Sequence, residues 1–167
     1  MPHSRWQIFV LIISLLLCTV LGAAAADVRG RVSWIYDGDT IKVDGVGKVR
    51  LLGIDTPERK ASERDKTYRR AGIPPKQLRY GAKQATAFLI RTAKGQVVTL
   101  TFDRERKDHY GRTLAYVTLA DGRLLNRELI REGWALVYRR FDFRLKDDFL
   151  REEVAARGAG RGLWAKE

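Results

Sequence analysis

The rhythm of apolar and polar residues changes repeatedly along the chain, and each change marks an element. No residue from Trp6 to Leu21 is charged, and Ala23 to Ala26 follow directly. With His3 and Arg5 in front, residues 1–26 read as a secretory signal; the alternative is an uncleaved membrane anchor. After this leader, Val28 to Tyr36 and Thr40 to Val43 carry strand formers on either side of Asp37-Gly38, and Asp44-Gly45 leads into a third run, Val49 to Ile54. Three strands joined by short turns make a meander. Arg59 to Arg79 has no such rhythm: it holds eight basic residues, Glu63, Asp65, Gly72 and Pro74-Pro75, and reads as a mobile basic loop.

Helical spacing returns from Gly81 to Ala93, at Ala85, Phe88, Leu89 and Thr92, with Gly95 as the stop. Gln96 to Phe102 and Thr113 to Leu119 supply two more strands. Asn126 is the expected N-cap of a short helix that Gly133 ends, and Trp134 to Tyr138 is a short extended piece. A last helix, about Arg144 to Ala156, should bury Leu145, Phe149, Leu150 and Val154 on one side. Five strands, a helix between the third and fourth, and helices at the end predict an α+β chain dominated by a five-stranded Greek-key barrel of the OB type, with about three helices. Residues 27–167 are expected to form one domain.

Charge narrows the function. The full chain carries +12, and 31 Lys+Arg face 20 Asp+Glu after residue 26. Such a field suits nucleic acid, anionic envelope polymers or membrane surfaces. The only cysteine, Cys18, lies in the leader, so the rest of the chain has no disulfide or thiolate metal site. No Gly-x-Ser-x-Gly elbow and no Gly-rich phosphate loop is present.

Against this positive background, Asp39 and Asp55 stand at strand ends that a curled meander would bring together. Two carboxylates sharing a site need a cation between them. Oxygen donors suit Ca²⁺ or Mg²⁺, and a carbonyl near Thr56 would add a third oxygen. Asp37 and Asp44 read as turn residues, and the EF-hand pattern fails because Lys42 and Lys48 occupy the positions that need glycine and glutamate. Glu58, aimed by Pro57, has the chemistry to order or deprotonate an attacking water. Arg50 and Arg112 have forks that match phosphate oxygens. Tyr110 and Tyr138 either stack on bases and touch phosphate or serve packing. His109 reads as a solvated loop residue.

The chain resembles the thermonuclease, or staphylococcal-nuclease-like, family. The resemblance rests on Asp37-Gly38-Asp39-Thr40, Arg50-Leu51-Leu52-Gly53-Ile54-Asp55-Thr56-Pro57-Glu58, Tyr80-Gly81 opening the first helix, Asp108-His109-Tyr110-Gly111-Arg112 with Leu114-Ala115-Tyr116, and Asn126 through Gly133-Trp134-Ala135. It implies a calcium-dependent phosphodiesterase that cuts DNA and RNA, single-stranded or locally melted, and leaves 3′-phosphates. Asp39 and Asp55 would be side-chain calcium ligands and Thr56 a main-chain one. Arg50, Glu58 and Arg112 would form the catalytic group, with Tyr110 and Tyr138 on substrate phosphate. The Arg59 to Arg79 stretch is longer than in the family's best-known members. With the leader, this points to a secreted or periplasmic enzyme, membrane-anchored if the leader stays, acting as a monomer without a protein partner. The competing readings are a non-catalytic OB module that binds single strands and an envelope protein of polysaccharide metabolism.

Overall fold

The computed structural model describes residues 27–165, so the expected leader, 1–26, lies outside the described residues. The strands are β1 (Val28–Ile35), β2 (Thr40–Val43), β3 (Gly47–Leu51), β4 (Ile54–Asp55), β5 (Val97–Thr101), β6 (Thr113–Thr118) and β7 (Leu136–Val137). The helices are α1 (Asp65–Arg70), α2 (Pro75–Thr92), α3 (Leu125–Arg131) and α4 (Lys146–Gly158), followed by a 3₁₀ turn at Gly162–Trp164.

Five strands close into the expected barrel in the order β1-β2-β3-β6-β5, with β1 also pairing β5. All pairs are antiparallel except β3 with β6, which aligns Arg50 with Leu114. Alternation along the strands turns Val32, Ile41, Val43, Val49, Leu51, Val98, Leu100 and Val117 inward. Burying these branched side chains, each worth about 1.5–3 kcal/mol, closes the barrel. Helices α3 and α4 cover one side through Leu129, Ile130 and Phe149.

The third run, expected to reach Ile54, breaks at Leu52-Gly53, where Gly53 has φ +80° and packs against the Phe143 ring. A Cβ there would sit 2.6 Å from that ring, so only glycine makes this turn. The break frees Ile54–Asp55 to pair with Leu136–Val137 as a separate two-stranded ladder. That ladder, not the barrel, holds Asp55.

Residues 59–79 depart most from expectation. They are not one irregular loop: α1 forms within them, and α2 begins at Pro75 instead of Gly81. Proline suits the first helical position, where its ring presets φ and its missing N–H leaves no bond unmade. Tyr68, Ile73 and Leu78 bury themselves with Leu136 and Leu163 in a second apolar cluster. Gly81 is therefore inside α2, where the lack of a side chain admits Leu163.

Two further expectations are corrected. Asn126 is not an N-cap; Leu124 takes that place. Fully buried, Asn126 accepts from the Val117 N–H at 2.9 Å and donates to the carbonyls of Leu52 at 2.9 Å and Ala115 at 3.2 Å. In α4, Val154 is 70% exposed and Glu153 is buried in its stead. Glu153 faces inward because it receives the Val137 N–H at 2.7 Å and pairs with Arg139.

Candidate active site

One side of the site grows from the barrel end. Thr40 and Arg50 face each other across β2 and β3, which sets the guanidinium beside the turn carrying Asp39. Arg50 pairs with Asp39, reaches Asp55 Oδ1 at 3.1 Å and donates to the Ile54 carbonyl at 3.2 Å. All three side chains are nearly buried. Asp39 also accepts from the Thr56 N–H at 3.1 Å, the Thr56 hydroxyl at 3.2 Å and the Thr40 hydroxyl at 3.0 Å. Burial alone would raise the Asp39 pKa, but Arg50 and the Thr56 N–H hold the carboxyl below its ordinary value.

Asp55 is shared by three donors. Besides Arg50, it accepts from the Tyr68 hydroxyl at 2.7 Å and pairs with Arg64, which also pairs with Glu58. Burial and the Asp39 charge push the Tyr68 phenol well above its usual range, which keeps it a donor. Glu58 is half-exposed beyond Arg64. Burial and then the Asp39 charge raise its pKa, against the pull of Arg50, Arg79 and Arg112.

The other side is an open cleft of about 590 Å³, bordered by Arg50, Asp55, Arg64, Tyr110, Arg112 and Tyr138. Asp108 shapes its rim by accepting from the N–H groups of Tyr110 and Arg112, both at 3.0 Å, and from Arg112 Nε at 2.7 Å. This presents Tyr110, 74% exposed, with the Arg112 guanidinium 5.4 Å from its ring centre. Tyr138 follows β7, where its N–H donates to the Gly53 carbonyl at 2.9 Å. His109 is exposed, its ring tilted by 43° against that of Tyr110.

All eight residues singled out from sequence therefore surround one region, with Arg50 and Asp55 common to both sides. Three contributors were missed. Asp37, read as a turn residue, accepts from the Asp39 N–H at 3.0 Å, and burial with the Asp39 charge pushes it up to about 6. Tyr68 and Arg64 lie in the stretch read as a loop. A tyrosine inside an otherwise polar and basic segment, Lys66-Thr67-Tyr68-Arg69-Arg70, was the available signal.

Among the described residues no cluster of three or more His, Cys, Asp or Glu side chains is arranged for a metal ion. The acceptors that converge are the Asp39 and Asp55 carboxylates, with Thr56, the residue after Asp55, held against Asp39 through its N–H and hydroxyl. One guanidinium, that of Arg50, bridges both carboxylates, so the positive charge they share here comes from a side chain. Such a sparse oxygen set fits a hard divalent ion completed by water and substrate oxygens.

Residues 48–166 match the family model described as staphylococcal nuclease homologue. An uncharacterized protein of Methanocaldococcus jannaschii is 39% identical over 147 residues, covering 81% of this chain and 70% of that one. A thermonuclease of Staphylococcus intermedius is 40% identical over 118 residues, covering 67% of this chain and 62% of its own length. A thermonuclease of Staphylococcus hyicus is 32% identical over 139 residues, covering 81% and 75%. With the barrel, the Asp39–Arg50–Asp55 centre and these matches together, the chain belongs to the staphylococcal nuclease homologue family.

Proposed function

We propose that this chain is a calcium-dependent nuclease that hydrolyses phosphodiester bonds in DNA and RNA and leaves 3′-phosphates. The observation that carries the reading is the convergence of Asp39, Asp55 and Arg50, with Glu58 joined to them through Arg64, beside a cleft lined with arginine and tyrosine side chains. A polyanion binder gains nothing from carboxylates facing its ligand, whereas a hydrolase uses them to hold a cation and handle a proton.

Asp39, Asp55 and the Thr56 carbonyl would hold the calcium ion, which when bound polarises a phosphoryl oxygen. Glu58 takes the proton of the attacking water, its raised pKa matching that task. Arg112 and Arg50 pair with phosphoryl oxygens as negative charge builds, and their planar forks lose little freedom in doing so. Tyr110 and Tyr138 orient the strand across the cleft, which suits single-stranded or locally melted substrate. The enzyme works as a monomer, secreted or periplasmic after loss of the leader, or anchored to the membrane if the leader stays.

Full-length protein is incubated with single-stranded DNA in calcium or in chelator. Cleavage is expected at about 0.1–1 mM calcium, the range of sparse open sites. Without cleavage in chelator, calcium should still raise the melting temperature, by the equivalent of about 1.4 kcal/mol at ten times its dissociation constant. Full cleavage in chelator would remove the metal role; binding in calcium without cleavage would make the chain a non-catalytic binder. Product ends that ligate without phosphatase treatment would refute the 3′-phosphate, and fractionating cells that express the full chain tests its compartment.

A further inference from the structure

The outer wall of the barrel carries chemistry that the cleft does not use. Every exposed residue within β1, β2 and β3 is basic or aromatic: Arg29, Arg31, Trp34, Lys42 and Lys48. Trp34 pairs in register with Lys42, and Lys42 with Lys48, which places one row across three strands. Its ends are extended by side chains from outside these strands. Lys94 Nζ lies 5.1 Å from the Trp34 ring centre, and Lys48 Nζ lies 4.6 Å from that of Tyr36. Trp34, on β1, is 52% exposed, and Tyr36, just past its end, is 36% exposed.

The row has a definite place relative to the catalytic centre. Lys42 and Lys48 are each two residues from the Thr40–Arg50 pair along β2 and β3. Residues two apart on a strand point to the same side and stand about 7 Å from each other. The row is therefore the next step along the same outer surface from the catalytic arginine.

From this placement we propose that Trp34, Tyr36, Lys42, Lys48 and Lys94 form a second binding strip, which takes the part of a single-stranded nucleic acid that runs on beyond the cleaved bond. Bases stack on Trp34 and Tyr36 while the flanking ammonium groups meet the phosphates, the pairing that sequence-independent strand binding requires. A ring with a lysine over it offers both partners of one nucleotide in one place. The proposal rests on the nuclease reading of the cleft. It concerns residues that are neither proposed metal ligands nor members of the proposed catalytic group, and it predicts that long strands bind better than short ones.

The test uses full-length protein and two exposed double variants, Trp34→Ala with Tyr36→Ala, and Lys42→Ala with Lys48→Ala. Thermal unfolding confirms that each folds, and either one suffices if the other does not. Binding of a fluorescent fifteen-residue oligothymidylate is measured in chelator, where strand cleavage does not interfere. Turnover of a thymidine dinucleotide, too short to reach the strip, is measured in calcium. We expect oligonucleotide affinity to fall roughly tenfold or more in the aromatic variant, the lower part of the range for loss of base stacking. In the lysine variant the slope of log affinity against log salt should flatten by about 0.7 per lysine. Dinucleotide turnover should stay within twofold of the parent. Unchanged oligonucleotide affinity overturns the strip, as does a parallel loss on the dinucleotide. Loss of binding to vesicles containing anionic lipid, with oligonucleotide binding intact, would also overturn it by making the row a membrane-facing surface. A parent that fails to cleave the dinucleotide refutes the reading of the catalytic centre instead, and the binding arm still decides the strip.

Discussion

The two sides of the site solve opposite problems. Around Asp39, Arg50 and Asp55 nearly every polar atom has a partner inside the protein, and the groups are almost dry. Around Tyr110, Arg112 and Tyr138 the side chains range from partly to largely exposed, and Asp108 anchors the first two. The buried side is held in position before substrate arrives, at a cost in desolvation; the open side leaves its donors free for a ligand. Preorganisation near the reacting phosphorus and accessibility along the strand are thus divided between two structural settings.

The largest test of that division is Arg50→Ala. Removing it leaves two buried carboxylates facing each other, so stability should drop by about 3–5 kcal/mol, the scale for breaking a buried ion pair. Turnover should fall by about 100-fold or more from lost charge stabilisation. Thermal unfolding and single-turnover rates, measured together, separate the two losses, and an unaltered melting temperature would show that the buried side is not a structural unit. Glu58→Gln comes next: kcat should fall by roughly 100-fold with little change in melting temperature, since Glu58 is half-exposed and its loss strands no buried charge. A large stability loss there would erase the distinction drawn around Arg64.

On the open side, Tyr110→Ala should weaken oligonucleotide binding by about tenfold, the scale of one lost stacking or phosphate contact, while the melting temperature stays put. Arg64→Ala acts at the border. Its guanidinium competes with any cation for Asp55, so its removal should tighten calcium binding by up to about fivefold, the worth of a half-exposed ion pair near 1 kcal/mol. A calcium titration of the melting temperature reads this directly, and weaker binding would instead make Arg64 a support of the site.

The smallest effect concerns pH. Burial would raise the Asp108 pKa, yet the Arg112 guanidinium and backbone N–H groups hold it below its ordinary value of 3.8. A depressed carboxyl stabilises the fold above its unfolded pKa and loses that contribution as pH falls through the folded one. Asp108→Asn should therefore lower stability at neutral pH slightly and flatten the decline below about pH 4. Unfolding curves from pH 7 to pH 2 would show it, and an unchanged acid limb would mean that the Arg112 pair is absent in solution.

Much of this was readable from residue order. Runs of strand formers marked all five barrel strands, and Asp-Gly turns bounded four of them, because alternation on a curled sheet forces one face inward whatever the rest of the chain does. Asp39 and Asp55 stood out because carboxylates at strand ends in a chain this basic demand a local reason, whereas Arg50 and Glu58 took their roles from the family resemblance. The sequence also showed that Gly133 ends α3, where its φ is +74°.

What residue order left open depended on partners distant along the chain. Tyr68 reads as one aromatic in a charged stretch until Ile73, Leu78, Leu136 and Leu163 bury it and Asp55 takes its hydroxyl. Asn126 has the composition of a cap, but the Val117 N–H and the Leu52 carbonyl draw it inward. Glu153 displaces Val154 from the interior because the Val137 N–H requires an acceptor. Local pattern settles which faces are apolar, since burying apolar area is roughly additive along an element. Buried polar side chains answer to unsatisfied groups elsewhere, and only the assembled fold brings those groups within hydrogen-bonding distance.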